Sequence, residues 1–272
     1  MRHHDEAVAT FVRQCADDDG VLGAILTGSV ATGSERDDSD VDLCVLVSDA
    51  AFDAAVRERR VMFTSTEGIG YAGGYYDIKL ISPSYLLEAV ERADDPTRAS
   101  FVGSRVIYST LGEGELDRSI SRILTVRDDV WTKHTRSFLA QVRLHGGYFL
   151  PQAYESGDPF LLASSALHLA GAAGRALLAR AHVFYRGPKY LTAALAALPS
   201  AADETVPAGK PDGFDDLITA LLAAPSPATA GELMTALEGF ADWPLAPGHT
   251  LSTFVIDNEL AWLYRAVPPE YS

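Results

Sequence analysis

Cysteine and positive charge are scarce in this sequence, and each shortage excludes a class of protein. Two cysteines, Cys15 and Cys44, are too few for a disulfide framework or a zinc knuckle. Lysine and arginine together number 22 against 37 acidic residues, which gives a formal net charge of −15. Proteins that grip long nucleic acids need a basic surface to neutralise the phosphates. A long nucleic acid is therefore an unfavourable partner, although a small anion in a locally basic cleft is compatible with this charge.

The sequence also lacks a leader and a long uninterrupted apolar run. Its first residues, MRHHDEAVATFV, carry neither the apolar segment nor the cleavage pattern of a signal peptide. The longest apolar stretch, 159–184, is interrupted by His168, Arg175 and Arg180, which is typical of a core helix and not of a membrane span. We therefore expect a cytoplasmic protein with no membrane partner.

The pattern of apolar residues predicts two domains of different class. Helix and strand signals alternate in the first part, and the predicted strands are GVLGAILTGS, DVDLCVLVS, RVMFTST, YYDIKLIS and SRVIYST. Helices are predicted over 5–17, 50–60 and SPSYLLEAVERA, the last with Ser82 as its N-cap. Beyond these, long helices are predicted over 116–149, 159–184, 189–198, 213–223, 229–241 and 250–265. The sequence thus predicts an α+β protein, with an α/β domain over 1–112 and an all-α domain over 113–272.

An unusual density of carboxylates precedes the second predicted strand. The stretch GSVATGSERDDSDVDLCVLV, residues 28–47, places five acids within eight positions and then becomes apolar. Asp40 and Asp42 project to the same face of a strand, because residues two apart share a face. Two carboxylates this close repel each other unless a cation lies between them. Mg²⁺ is held by such carboxylates together with substrate phosphate oxygens.

The acidic stretch can also be compared with three common local patterns. A solvated acidic turn leading into a strand is the simplest interpretation of a bare Asp-x-Asp. A calcium loop fits the spacing of Asp38, Asp40 and Asp42, but Leu43 stands where that loop requires glycine for its sharp turn. A Walker loop is excluded because no lysine follows Gly33.

Two further features favour a metal and phosphate site. Gly28 and Ser29 are small residues at the end of a predicted strand, where backbone N–H groups can approach a phosphate. Asp77 lies inside the apolar strand YYDIKLIS, where a charge is costly without a partner. Lys79 shares its face, so a plain Asp77–Lys79 ion pair is the alternative interpretation of that acid.

These residues resemble the signature of the nucleotidyltransferase superfamily that includes DNA polymerase beta. The resemblance rests on Gly28-Ser29, ten intervening residues, Asp40-Val41-Asp42 and a strand-borne Asp77. An α/β unit followed by a helical domain is similar in layout to the bacterial aminoglycoside nucleotidyltransferases. The resemblance implies a small mixed sheet in the first domain and a helical bundle in the second.

The resemblance also implies roles for individual residues. Asp40 and Asp42 would bind one or two Mg²⁺ ions, and Asp77 would be a further metal ligand, a general base, or both. Gly28 and Ser29 would contact the triphosphate of a nucleoside triphosphate, with ATP as the expected donor. Several related enzymes place a lysine in the segment that corresponds to FYRGPKYL, so residues of that segment and of the Asp77 strand are predicted to meet phosphate: Lys189, Arg186 and Lys79.

The implied reaction transfers a nucleoside monophosphate to a hydroxyl group and releases pyrophosphate. A small hydroxylated acceptor, such as an aminoglycoside-like antibiotic, is favoured because a cationic sugar would be attracted to an acidic protein. Two alternatives stay open: transfer to a protein or a tRNA end, as in toxin-like relatives, and a regulatory module that binds nucleotide without catalysis. Because some relatives form dimers that share active-site residues, a homodimer is one option for the assembly.

Overall fold

The computed structural model describes residues 1–200, 209–266 and 268. The chain divides into two compact units, Met1–Thr125 and Val126–Ser272. The first unit contains a sheet with helices and the second is mostly helical, which confirms the predicted α+β class.

The first unit contains each predicted strand in its predicted place. Its elements are α1 (Arg2–Ala16), β1 (Val21–Leu26), α2 (Gly28–Thr32), β2 (Val41–Val47), α3 (Asp49–Glu58), β3 (Met62–Ser65), β4 (Tyr76–Ile81), α4 (Pro83–Arg92), α5 (Asp95–Ser100), β5 (Arg105–Ser109) and α6 (Glu115–Leu124). The sequence pattern did not predict α2 and α5, because helices of five and six residues are too short for an amphipathic repeat. The predicted N-cap of α4 is confirmed, since the hydroxyl of Ser82 accepts a hydrogen bond from the Tyr85 amide at 3.1 Å.

The sheet is mixed, with the strand order β3-β4-β2-β1-β5. Only the pair β2 and β4 is parallel; β1 pairs antiparallel with β2 and β5, and β3 pairs antiparallel with β4. The parallel register places Asp42 directly opposite Asp77. Two acids that lie 35 positions apart in the sequence therefore become neighbours.

Alternation along the strands separates two apolar layers. Val41, Leu43, Val45 and Val47 of β2 belong to the layer that packs on α1, while Cys44 and Leu46 belong to the layer that packs on α4 and α6. Successive side chains of a strand point to opposite faces. Asp42 and Asp77 therefore lie on the α4 and α6 side of the sheet, opposite α1.

Helix α6 belongs to the first unit, whereas the predicted first domain ended at residue 112. Its apolar residues Leu116, Ile120 and Ile123 are buried in the same layer as Leu86 of α4. The chain is extended at Thr125 and Arg127, so one predicted helix over 116–149 is two helices in the structure. The β-branched pair Thr125-Val126 disfavours a continuous helix. Asp128 and Asp129 stabilise the start of the next helix, because their negative charges interact favourably with the helix N-terminus.

Arg98 holds α6 in place, and its replacement should strongly destabilise the first unit. The buried guanidinium donates to the backbone oxygens of Ala93 at 3.0 Å and Val90 at 3.1 Å, and also to that of Ile123. We expect Arg98→Met to lower the free energy of unfolding by about 3–5 kcal/mol, because one buried and two partly buried carbonyls lose a charged donor. Urea unfolding measures this loss.

The control for this prediction is Arg92→Met on the neighbouring helix α4. Arg92 is exposed and forms a surface ion pair with Glu88 at 2.6 Å, so its loss should cost less than about 1 kcal/mol. Equal losses for the two variants would contradict the role given to Arg98.

The second unit is built from helices that pack around α7 and α9. Its elements are α7 (Asp128–Leu144), a π-helical turn (His145–Phe149), α8 (Leu150–Ser156), α9 (Pro159–Arg180), α10 (Leu191–Ala197), α11 (Phe214–Ala223), α12 (Pro227–Glu238) and α13 (Thr250–Phe254), with shorter helical turns at Pro188–Tyr190, Pro247–His249, Val255–Glu259 and Ala261–Tyr264. The predicted helix over 250–265 is thus helical in type but broken into short pieces.

Helix α9 is long and apolar enough to span a membrane by length and composition alone. Within its apolar window, 56% of the residues are buried against the rest of the fold. Arg175 of this helix lies 4.2 Å from the ring centroid of Phe138 and 4.5 Å from that of Tyr185. These contacts are those of a core helix that buries its charge between two aromatic faces.

Buried His145 should make the second unit sensitive to mild acid. Burial and the neighbouring His168 lower the pKa of His145 to about 4, from its ordinary 6.5. The unfolded chain therefore binds a proton that the folded chain does not, and stability falls as the pH drops through this interval. We expect a loss of up to about 3 kcal/mol in wild type, measured by urea unfolding from about pH 7 to about pH 4.5.

The comparison variants for this prediction are His145→Gln and His249→Gln. His249 is exposed, so its variant should keep the full pH dependence, while His145→Gln should flatten it. Carboxylates that titrate in the same range contribute equally to both variants. If His145→Gln and His249→Gln lose stability in parallel, the acid sensitivity does not come from His145.

Candidate active site

Three carboxylates converge at the start of β2 and β4. Asp40 immediately precedes β2, Asp42 lies on it, and Asp77 faces Asp42 from the parallel strand β4. Each offers one oxygen, and these oxygens all lie within 4.8 Å of one another. All three side chains are partly exposed, so a ligand can reach them. The predicted metal ligands therefore form a single cluster, which we call the acidic triad.

The electrostatics of the triad favour a bound cation. Burial and the nearby charge of Asp40 raise the pKa of Asp77 above its ordinary value. Like charges oppose ionisation, and a cation among them removes this penalty. The donors are carboxylate oxygens only, which suits a hard divalent ion such as Mg²⁺. The residues present thus fit the metal site that the sequence predicts.

Only glycine fits at position 28, because the carboxylate of Asp42 occupies the space that a side chain would need. A Cβ at this position would lie 1.9 Å from Asp42 Oδ2 and 2.7 Å from its Cγ. The φ angle of Gly28 is +66°, a conformation that favours glycine. The predicted strand over GVLGAILTGS ends at Leu26, and Ser29 lies in the first turn of α2. Gly28 and Ser29 are therefore placed beside the triad.

The loop that carries Asp40 is held by side chains from distant parts of the sequence. The backbone oxygen of Ser39 accepts hydrogen bonds from the Tyr71 hydroxyl at 2.7 Å and from His4 Nε2 at 3.1 Å. The hydroxyl of Tyr75 is hydrogen-bonded to Asp40, and this bond is the main cause that raises the pKa of Tyr75. Sequence reasoning missed these three residues, because no local pattern connects them to Asp40.

Removing the Tyr71 hydroxyl should weaken metal binding without unfolding the protein. In Tyr71→Phe the ring can keep its contacts with His3 and His4, whose centroids lie 4.6 Å and 4.9 Å away. The carbonyl of Ser39 loses one of two donors, so Asp40 becomes less well oriented. We expect the dissociation constant of Mn²⁺ to rise roughly threefold to tenfold, measured by paramagnetic titration.

The matched control is Tyr148→Phe, which removes an exposed hydroxyl from the second unit. Both variants should lose at most about 1 kcal/mol of stability. An unchanged Mn²⁺ affinity in Tyr71→Phe would show that the Ser39 carbonyl does not position the triad.

Comparison with known proteins identifies a domain within the first unit. The sequence profile described as "Nucleotidyltransferase domain" matches residues 8–73, a range that includes Gly28, Ser29, Asp40 and Asp42. The chain carries a nucleotidyltransferase domain. A nucleotidyltransferase-like protein from Exiguobacterium sibiricum 255-15, solved at 1.90 Å resolution, is similar to it with 11% sequence identity and a TM-score of 0.49, over 96% of this chain and 80% of that chain. No curated protein matches the sequence.

The nucleotidyltransferase domain confirms the predicted family and implies a nucleoside triphosphate as substrate. Asp77 lies just beyond the matched residues, and the register of β4 brings it to Asp42. The family description names no acceptor, so the aminoglycoside-like acceptor and the link to antibiotic resistance receive no support from these comparisons.

Lys79 does not neutralise Asp77, although the two residues share a face of β4. Its Nζ donates to the Tyr85 hydroxyl at 3.3 Å and lies 5.3 Å from the centroid of the Tyr85 ring. Within the described part of the chain, no ion pair joins Lys79 to Asp77 at 4.0 Å or less. The charge of Asp77 therefore needs another partner, and the role of Lys79 toward phosphate stays a prediction.

Arg186 and Lys189 lie in the second unit, outside the nucleotidyltransferase domain. Both side chains lie beside Tyr190, with Arg186 Cζ 4.6 Å and Lys189 Nζ 5.3 Å from its ring centroid. Lys189 belongs to the helical turn Pro188–Tyr190. Their contact with a nucleotide stays a prediction.

Proposed function

We propose that this protein is a magnesium-dependent nucleotidyltransferase that modifies a hydroxyl group of a small molecule. The observation that carries this proposal is the acidic triad, whose three oxygens lie within 4.8 Å of one another. Asp40 and Asp42 lie within the matched nucleotidyltransferase domain, and Asp77 joins them from the parallel strand β4. A protein that only binds nucleotide has no need for three converging carboxylates, because their mutual repulsion is unfavourable and such a protein uses no metal for catalysis.

Each residue of the site has a part in the proposed reaction. Asp40, Asp42 and Asp77 would hold Mg²⁺, which would neutralise charge on the phosphates. Gly28 and Ser29 would contact the triphosphate, because they form the turn from β1 into α2 next to the triad. Lys79 of the first unit would also meet these phosphates, while phosphate contacts of Arg186 and Lys189 in the second unit stay a prediction.

The proposed reaction is an in-line displacement at the α-phosphorus of the nucleotide. The acceptor hydroxyl oxygen forms a bond to the α-phosphorus while the bond from that phosphorus to the bridging oxygen of the β-phosphate breaks. Pyrophosphate leaves with the electron pair of that bond. Asp77 takes the proton of the hydroxyl as the general base that the resemblance implies. Orientation of the two substrates supplies much of the remaining acceleration.

The acceptor in this proposal is a hydroxylated molecule with cationic amino groups, such as an aminosugar. The support is electrostatic: a protein of net charge −15 attracts cations and repels anionic acceptors. ATP is the expected donor among the nucleoside triphosphates.

A pyrophosphate-release screen tests this proposal. Wild type is incubated with Mg²⁺, each of ATP, GTP, CTP and UTP in turn, and either cationic aminosugars or neutral sugars of similar size. We expect release that requires one nucleotide, Mg²⁺ and a cationic sugar. Release of pyrophosphate with neutral sugars but not with cationic sugars would support the transfer reaction and contradict the proposed cationic acceptor.

Two other results would replace the proposal. If the screen shows no turnover on sugars but incubation with cell extract and labelled nucleotide gives a labelled protein or tRNA band, the acceptor is a macromolecule. Tight binding of nucleotide with Mg²⁺, but no pyrophosphate release with any acceptor, would indicate a regulatory binding module.

A further inference from the structure

The face of the sheet opposite the triad carries an open apolar groove of about 610 Å³. Side chains of two central strands form its floor, with Val45 and Val47 from β2 and Ile78 and Leu80 from β4. Helix α1 packs on β1, β2 and β5 on this side, and it contacts β4 at Tyr76, whose hydroxyl donates to the backbone oxygen of Ala7 at 2.8 Å. The edge strand β3 is mostly exposed. Side walls come from Phe11 and Cys15 of α1, Ala51 of α3 and Phe63 of β3.

The groove is separate from the acidic triad. Val45 and Val47 lie in the α1 layer, whereas Asp42 points to the opposite face because it is an odd number of positions away from them. Ile78 is in the same relation to Asp77. The thickness of the sheet therefore stands between the groove and the triad, and a molecule in the groove cannot be the acceptor of the transfer reaction.

The rim of the groove is negatively charged. Asp17, Asp18 and Glu67 line it, and all three are exposed. No lysine or arginine is among the described residues that line the groove. An apolar floor with a rim of one sign of charge suits a ligand that has an apolar body and the opposite charge.

Two contacts hold the Glu67 side of the rim in place. Gln14 of α1 donates to the backbone oxygen of Glu67 at 3.1 Å. Gly68 follows with a φ of +91°, and a Cβ there would lie 2.7 Å from Thr10 Cγ2. The loop after β3 therefore packs tightly on α1, so this part of the rim is formed before a ligand arrives.

We propose that this groove is a binding site for a small organic cation with an apolar body, such as an arylalkyl amine. Its volume lies within the range of about 300–1,000 Å³ that small-molecule sites occupy. A second copy of the chain is a poor occupant, because it would bring a net charge of −15 to an acidic rim. The site lies on the reverse side of the sheet from the triad, so its ligand is not a reactant in the proposed transfer.

Binding of three related probes to the full chain tests this proposal. The probes share one apolar body and differ only in charge: 4-phenylbutylamine, 4-phenylbutanol and 4-phenylbutyrate. We expect amide chemical shifts to change around the groove with the amine at millimolar concentration, more weakly with the alcohol, and not with the carboxylate. Equal binding of amine and alcohol would overturn the charge argument, and shifts without a focus on the groove would overturn the site.

Two pairs of variants locate the site. Ala51→Phe fills the groove from α3, and Ala50→Phe adds the same ring one position away, outside it. Only Ala51→Phe should abolish binding of the amine. Asp17→Asn with Glu67→Gln should weaken the amine roughly fivefold and leave the alcohol unchanged, whereas Asp53→Asn with Glu58→Gln should have no effect.

A last variant separates this site from the proposed enzymatic function. Asp40→Asn with Asp42→Asn should bind the amine as well as wild type does, even if no nucleotide ever binds. Loss of amine binding in that variant would place the amine at the triad and overturn the groove. If the amine instead raises the mass of the protein in solution to that of a dimer, the groove is an interface between copies and the proposal is overturned.

Discussion

Asp42→Asn is expected to weaken the binding of divalent cations at least about 100-fold and to lower nucleotidyl transfer about 10²- to 10⁴-fold. An amide oxygen keeps the shape of the carboxylate but supplies no negative charge to a metal. Metal ions contribute several kcal/mol to transition-state stabilisation, and each 1.36 kcal/mol is about a factor of ten in rate. Mn²⁺ titration measures the first effect without any acceptor, and pyrophosphate release measures the second.

The matched control is Asp38→Asn, which removes a carboxylate from the same loop but not from the triad. Asp38 is exposed and lies 3.4 Å from Arg36 in a surface ion pair. Its loss should leave Mn²⁺ affinity and stability within experimental error of wild type. If both variants bind Mn²⁺ as wild type does, the cluster of Asp40, Asp42 and Asp77 is a solvated acidic turn and not a metal site.

Gly28→Ala is expected to abolish metal binding and turnover while the protein stays folded. The added Cβ would lie 1.9 Å from Asp42 Oδ2, a distance that no pair of unbonded atoms tolerates. Either the Asp42 carboxylate turns away or the turn between β1 and α2 moves. Both changes disperse the triad, so we expect at least about a 100-fold loss of Mn²⁺ affinity, comparable to the loss of a ligand.

Gly33→Ala is the control that separates this collision from backbone strain. Gly33 also has a positive φ, +71°, but apart from its own chain neighbours no atom of the described residues lies within 4 Å of the position of its Cβ. Both variants should lose about 1–2 kcal/mol of stability from the left-handed conformation. Only Gly28→Ala should lose the metal. If Gly33→Ala loses it equally, flexibility of the loop and not the contact with Asp42 accounts for the effect.

Local patterns were sufficient to predict most of the first unit. The alternation in DVDLCVLVS identifies a strand and places Asp40 and Asp42 on one face. Asp77 is recognisable as a candidate ligand, because a lone charge in an apolar strand needs a partner. Such signals depend on neighbours within a few residues, and these are visible in the sequence.

The residues that sequence reasoning missed depend on contacts between distant segments. Tyr71 and His4 meet at the carbonyl of Ser39, from positions 32 and 35 residues away. Tyr71 and Tyr75 have no unusual neighbours, and His4 lies in an ordinary amphipathic helix. The packing of α6 on the first unit is hidden for the same reason, because α6 is held by Arg98 from α5.

The sequence by itself determined the two-part organisation, the strands, and the three acids as candidate ligands, since period-two and helical patterns record which side chains are buried. Tertiary structure decided the rest. The parallel register of β2 and β4 places Asp77 opposite Asp42, and the fold directs Lys79 to Tyr85 instead of Asp77. The sequence marks position 28 as a small residue suited to phosphate, whereas only the fold shows that the carboxylate of Asp42 leaves no space there for a side chain. These outcomes depend on which surfaces pack together, and no local pattern of residues contains that information.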